Sequence, residues 1–191
     1  LNLGDLDIND AEARNTDARG GRTAGGFGKI TIDLDRVQSF TPNLKVSLSL
    51  SGQLANKNLD SSEDFFLGGA NGVRAYPRGE GAGDEGVKLT TELMWRVPKW
   101  SRQNYGFSLV NFYDFGWVRI NRDPYDDAVN QRSLAGCGLG TIWAWKNCSF
   151  RWDYAFKLGN EQAVFATTTK YPIYRYFGRA GIYDRRVDNS F

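Results

Sequence analysis

One arginine stands alone in an apolar setting. Arg74 is the single charge in Val73-Arg74-Ala75-Tyr76-Pro77, and a guanidinium offers a planar fork of N–H donors that fits a carboxylate better than an ammonium does. Other charges recur at alternating positions of later segments: Lys88 and Glu92 in one, Asp114 in a second, Arg151 and Asp153 in a third. Groups of this kind can pair, or can line a wet passage. Catalysis is a poor fit. The chain has no histidine, which removes the commonest general base, every histidine-containing triad and most metal-ligand sets. No nucleophile stands beside a plausible base and no phosphate-cradling loop is present, so neither an enzyme nor a cofactor or metal is expected.

Arg74 lies in the least ordinary stretch of the chain, 65–86, where seven of 22 residues are glycine. A flexible linker would be polar throughout; this stretch instead carries an apolar, proline-stiffened centre. Gly68, Gly69 and Gly72 would let the backbone take positive φ or approach a wall closely. A loop of this length inside an ordered domain is usually functional, and a long solvated hairpin loop is the competing reading.

The elements that must position these residues alternate with a period of two. Ile30, Ile32 and Leu34 oppose Lys29, Thr31, Asp33 and Asp35, and after Thr41-Pro42-Asn43 the residues Leu44, Val46, Leu48 and Leu50 oppose Lys45, Ser47, Ser49 and Ser51. These read as a hairpin. Beyond the long loop, Val87 to Val97 alternates, and Tyr105, Phe107, Leu109, Tyr113, Phe115 and Trp117 share one face of the next strand, with Asp114 on the other. A polar loop over 121–131 leads to a glycine-rich strand, 133–145. Phe150, Trp152, Tyr154, Phe156 and Leu158 then oppose Ser149, Arg151, Asp153, Ala155 and Lys157, and a last strand is expected over about 173–183. A turn at Lys146-Asn147 would set Cys148 opposite Trp145 and Cys137 opposite Phe156, so the two cysteines would not bridge. Helices are expected to contribute little.

With 24 Lys and Arg against 22 Asp and Glu, the net charge of +2 gives no ground for a nucleic-acid partner. The chain starts at Leu1, with no leader-like segment, and is expected to be a cut or processed piece. No stretch approaches the roughly 18 apolar residues of a membrane helix. Strands of 8–13 residues by this reading exceed the roughly 5–6 usual in soluble sheets and suit the roughly 9–11 that cross a bilayer. Short turns also alternate with long polar loops, as in outer-membrane barrels. The expected fold is therefore all-β, an antiparallel transmembrane β-barrel, and a soluble β-sandwich is the alternative. Trp95, Trp117, Trp143, Trp145 and Trp152 fit aromatic girdles at the membrane interfaces. Lys88, Glu92, Arg151 and Asp153 then line the lumen.

Seven strands can be counted, with Leu1–Ile8 as the possible end of an eighth. The run Ser62-Glu63-Asp64-Phe65-Phe66-Leu67-Gly68-Gly69, then Val73-Arg74-Ala75-Tyr76, Gly83-Asp84-Glu85-Gly86 and Asn111-Phe112-Tyr113-Asp114-Phe115-Gly116, resembles the haemolysin-activator type of two-partner secretion transporter, of the outer-membrane barrel-assembly superfamily. The resemblance extends weakly to Leu3-Gly4-Asp5-Leu6-Asp7. It implies a 16-stranded barrel preceded by periplasmic domains, with 1–191 as its last seven strands and 65–86 as a loop folded into the lumen. It implies a protein-conducting pore in the bacterial outer membrane that exports a large partner exoprotein of haemolysin or adhesin type. A barrel-assembly factor and a passive porin-like channel are the alternatives.

For individual residues, the resemblance makes Gly68, Gly69, Val73, Arg74, Ala75 and Tyr76 the functional loop motif and Asp114 the lumenal partner of Arg74. Otherwise each is a solvated lumen charge. In a wet pore the pair would contribute only the ~0–1 kcal/mol of exposed ion pairs. Glu92 and Lys88 are expected to belong to the general polar lining. The resemblance also leads one to expect a final aromatic closing the last strand; Phe191 is aromatic, but Arg185–Ser190 before it reads as a tail.

Overall fold

The computed structural model describes residues 1–102, 105–159 and the backbone of two short strands, 174–177 and 181–182. The segments of alternating residues form one antiparallel sheet. Its strands are β1 (Asn2–Leu6), β2 (Gly25–Thr41), β3 (Leu44–Ala55), β6 (Glu85–Arg96), β7 (Tyr105–Arg119), β8 (Gln131–Trp145) and β9 (Cys148–Leu158). They neighbour one another in chain order, and β10 (Tyr174–Phe177) and β11 (Gly181–Ile182) both pair with β9. A separate two-stranded ribbon, β4 (Phe65–Phe66) with β5 (Ala82–Gly83), lies within the long β3–β6 connection. Across the short turns β2–β3, β6–β7 and β8–β9, antiparallel pairing of sequence neighbours is what a hairpin enforces. Phe191 and the 185–190 tail fall outside the described residues.

The two faces differ as the alternation requires. On β7 the odd-numbered side chains Leu109 and Tyr113 are exposed, whereas the even-numbered Phe112 and Asp114 are buried. Pairing carries this sidedness across the sheet: Phe112 faces Glu92 on one side and Gly138 on the other, and Gly138 faces Ala155. The outer face thus shows Leu93, Trp95, Leu139, Trp143, Phe150, Trp152 and Phe156, all exposed. The protein's buried cluster lies on the inner face, where Leu67, Val73, Ala75 and Tyr76 of the β3–β6 connection pack on Phe112, Val118, Leu134 and Ala155. No helix among the described residues is long and apolar enough to cross a membrane.

Three details depart from the expectations. A helix, α1 (Ala11–Arg19), occupies the β1–β2 connection. Asp10 caps it by accepting from the Ala13 N–H at 2.7 Å, and Glu12 and Arg19 suit the two ends of its dipole. That local chemistry was legible; with no apolar stripe it gave no periodic signal. Strand β2 extends beyond the alternating residues Lys29 to Asp35 at both ends. The irregular part of the long loop starts directly after Ala55 and ends before Glu85, so Glu85 and Gly86 already belong to β6. The β8–β9 register places Cys137 opposite Phe156 and Cys148 opposite Trp145, and both thiols are free.

Candidate functional site

The loop tip is held in shape by its own backbone. Val73 N–H donates to the Leu67 carbonyl (2.8 Å), Tyr76 N–H to Val73 (3.1 Å) and Gly69 N–H to Tyr76 (3.1 Å). Gly69 adopts φ +107, in the region that side chains rarely enter. A side chain at Gly68 or Gly72 would collide with the carbonyls of Pro77 and Leu67 respectively. Their close approach is therefore to the loop itself rather than to the wall. With the amides of Gly69, Val73 and Tyr76 used internally, the tip presents Leu67, Val73, Ala75 and Tyr76 to the sheet, all essentially buried.

Space for the tip comes from β8. Gly136, Gly138 and Gly140 share its inner face, and a Cβ at these positions would meet Ala75, the Phe112 ring and the Asp153 carboxylate in turn. The glycine-rich character that makes β8 a weak strand by pattern is thus a seat for the loop and for the charges beneath it.

Arg74 points from the tip into this seat. Its Nε donates to Asp114 Oδ2 and its Nη2 to Asp114 Oδ1, both at 2.8 Å, and its own backbone N–H reaches the same Oδ2 at 3.1 Å. The Nη1 donates to Glu92 Oε1 at 2.6 Å and approaches Asp153 Oδ2 at 3.5 Å. Arg151 closes the cluster, with Nη2 to Glu92 Oε1 at 2.6 Å and Nε to Asp153 Oδ2 at 2.8 Å. The Arg74 guanidinium lies 3.6 Å from the centre of the Phe112 ring, a desolvated cation–π geometry. Three carboxylates from β6, β7 and β9 thus converge with two guanidiniums, one from the loop and one from the wall.

This arrangement corrects one expectation. The pair is not a wet lumenal contact, since Asp114 is 0% and Arg74 5% exposed; breaking it strands a buried charge, at a cost nearer ~3–5 kcal/mol than ~0–1. Glu92, on the same inner face, is a direct partner of both arginines. Lys88 stands apart from the cluster, its Nζ 5.4 Å from the Phe65 ring centre.

A second set of contacts fastens the base of the loop and was not singled out by sequence reasoning. Asp84 accepts from the backbone N–H of Leu59 (2.9 Å) and of Arg122 (2.7 Å), tying the β3–β6 and β7–β8 connections together. Burial pushes its carboxyl above the ordinary range, with the charges of Glu85 and Asp123 adding to the effect against those two hydrogen bonds. Glu85 pairs with Arg119 at 2.9 Å and Arg122 at 3.3 Å. The buried Glu80 pairs with Arg132, and Lys157 lies 4.6 Å from the centre of the Tyr76 ring. Asn58 donates to the carbonyls of Gly21 and Asp123 and accepts from the Asp123 N–H. The available signal was Asp84-Glu85 between glycines, two adjacent carboxylates that must face opposite ways at a strand start.

A family model described as haemolysin secretion/activation protein ShlB/FhaC/HecB matches residues 6–142. The heme/hemopexin transporter protein HuxB of Haemophilus influenzae strain 86-028NP is 34% identical over 115 residues, which are 60% of this chain and 20% of that protein. HuxB of a second H. influenzae strain is 35% identical over 90 residues, 47% of this chain and 16% of the relative. Among solved structures, CdiB from Escherichia coli aligns with a TM-score of 0.66 at 21% identity, over 82% of this chain and 28% of that one. The chain spans about a fifth of the length of the HuxB it matches over 115 residues. The inner-face loop, the outward aromatic wall and these likenesses agree, and the chain belongs to the haemolysin secretion/activation family, the two-partner secretion transporters of the Gram-negative outer membrane.

Proposed function

We propose that residues 1–191 are the last strands of a 16-stranded pore that exports a large partner exoprotein of haemolysin or adhesin type, and that the loop over 65–86 is its lumenal plug or gate. The observation that carries the gating role is the convergence of Asp114, Glu92 and Asp153, from three wall strands, on the loop's Arg74. An ion cluster of this kind gives a docked loop a defined seat, yet can be exchanged as a unit, because all its partners on the wall side belong to rigid strands. Gly68, Gly69, Val73, Ala75 and Tyr76 shape the tip that delivers the guanidinium, and Arg151 holds two of the three carboxylates in place when the loop is away. Periplasmic domains upstream would present the exoprotein, and no nucleotide is consumed in the transfer.

The test uses the full-length transporter with its partner exoprotein. Arg74→Ala should reduce export several-fold while the protein remains inserted and folded, and should raise the single-channel conductance or its open time as the loop leaves its seat. Unchanged export and conductance in a variant whose loop has demonstrably undocked would refute the gating role. A passive channel would show the conductance change with no dependent exoprotein at all.

A further inference from the structure

Among the described residues, the short turns at the end of the sheet opposite the loop carry one sign of charge. None of the 22 acidic residues falls within 36–59, 93–113 or 128–152, and these stretches contain the three short connections β2–β3, β6–β7 and β8–β9. Cations remain there, among them Lys45, Lys99, Arg102 and Lys146. No carboxylate in the chain segments of these turns is available to neutralise them.

On the outer face at this end, a short 3-10 turn, Pro98–Trp100, folds back over the start of β7. Trp100 packs on Phe107 with ring centres 5.1 Å apart, and Phe107 on Trp143 at 4.5 Å. Phe107 is consequently 6% exposed, although Tyr105 and Leu109 of the same face are 45% and 39% exposed. The turn is pinned by Val97 N–H to the Phe107 carbonyl (2.9 Å) and Phe107 N–H to Ser101 Oγ (3.1 Å). Between these rings opens a cleft of about 430 Å³, lined by Lys99, Trp100, Tyr105, Phe107, Trp143 and Trp145, within the roughly 300–1,000 Å³ of small-ligand sites. Lys146 Nζ stands 5.7 Å from the Trp145 ring centre.

We propose that this cleft is a binding site for one anionic phospholipid of the leaflet that meets the short turns, with an acyl chain along Trp100, Phe107 and Trp143 and the phosphate between Lys99 and Lys146. A girdle of aromatics would by itself need no ligand. Two further features point to a bound lipid: a walled apolar cleft on the face that meets hydrocarbon, and lysines at its rim in turns whose described residues include no carboxylate to compete for them. Interfacial Trp and Tyr rings sit at headgroup depth, with their apolar edges toward the chains. A cation beside an anionic lipid strengthens binding roughly fivefold. A zwitterionic headgroup carries its own ammonium and gains less.

The experiment is native mass spectrometry of the full-length transporter in mild detergent, titrated with phosphatidylglycerol or phosphatidylcholine. Wild type should hold one phosphatidylglycerol more tightly than any further copy and more tightly than phosphatidylcholine. Lys99→Gln and Lys146→Gln, both surface changes, should each weaken that copy roughly fivefold and leave phosphatidylcholine unaffected. Trp100→Ala should weaken both lipids, and Arg22→Gln, at the other end of the sheet, should weaken neither. Equal affinity for the two lipids, or lysine variants that bind phosphatidylglycerol as wild type does, would overturn the site. So would lysine variants that lose affinity for the exported polypeptide while keeping their lipid, since the cations would then serve a protein contact.

Discussion

Asp114 takes both prongs of the Arg74 fork and the backbone N–H of the same residue, three hydrogen bonds of 2.8–3.1 Å into one fully buried carboxylate. The pairing therefore fixes the loop's main chain as well as its side chain. It is also asymmetric, because Arg74 has Glu92 and Asp153 within reach whereas Asp114 accepts from Arg74 alone in the cluster.

That asymmetry ranks the variants. Arg74→Ala leaves Asp114, Glu92 and Asp153 facing Arg151, three negative charges, two of them buried, against one positive. Asp114→Asn leaves two of each sign and keeps an oxygen for the Arg74 N–H groups. Loop docking, read by protease protection or by spin-label distances in the folded protein, should be lost most in Arg74→Ala, by ~3–5 kcal/mol, less in Asp114→Ala and least in Asp114→Asn. Exchanging the charges, Arg74→Asp with Asp114→Arg, should not restore docking. The Phe112 ring and the acceptor for the residue-74 backbone N–H are both placed for the native order. Recovery in the exchanged protein would show that net charge alone governs the seat.

Glycine on the inner face of β8 gives a second expectation. A Cβ added at Gly138 would meet the Phe112 ring and the Tyr154 backbone carbonyl, whereas one at Gly140 would meet the movable end of Asp153. Gly138→Ala should thus cost ~1–3 kcal/mol, the usual range for overpacking, and should displace the ring that backs Arg74. Gly140→Ala should cost less. Urea unfolding of the refolded transporter, followed by Trp fluorescence, would rank the two, and a reversed order would mean that Gly138 is not the tighter point of the seat.

The loop base should respond to pH. Burial, with the charges of Asp84 and Asp60 adding to it and Lys29 opposing, raises the Asp64 carboxyl from 3.8 to about 7. The folded loop holds this proton more firmly than the unfolded chain does. Asp64 therefore contributes stability in full below about pH 4; the contribution falls as pH rises toward 7 and changes no further above it. The Leu59 amide, which donates to Asp84 Oδ1, should exchange more slowly at pH 5 than at pH 7.5 once intrinsic rates are corrected for. Asp64→Asn should flatten that dependence, and an unchanged profile in the variant would assign it to another group.

Sidedness can be tested by charge insertion. Trp152 lies on the outer face of β9 and is exposed, while Ser149 lies on its inner face. Trp152→Arg should cost ~2–4 kcal/mol if it sits at mid-bilayer and less toward the rim, and Ser149→Arg should be close to neutral. Refolding yields into lipid vesicles would report the difference; equal losses would invert or abolish the assigned faces.

Much of the wall was legible in the residues. A side-chain period of two, together with a two-residue turn at Lys146-Asn147, leaves one register for β8 against β9, and this is why Cys137 could be set opposite Phe156 before any coordinates. Val73-Arg74-Ala75-Tyr76 among its glycines pointed to the family, since local motifs survive in sequence. The helix α1 escaped because a short helix with no buried residue has no apolar stripe and so leaves no periodicity to read. What only the tertiary structure decided is the company Arg74 keeps. Glu92, Asp114 and Asp153 are spaced along three strands, and their convergence depends on how the registers of β6 to β9 add up and on where a 29-residue connection, 56–84, turns back onto them. Alternation fixes which face a residue takes. It does not fix which distant segment covers that face, and it is this covering, by the apolar tip over a glycine-lined seat, that dries the charges and makes each of them consequential.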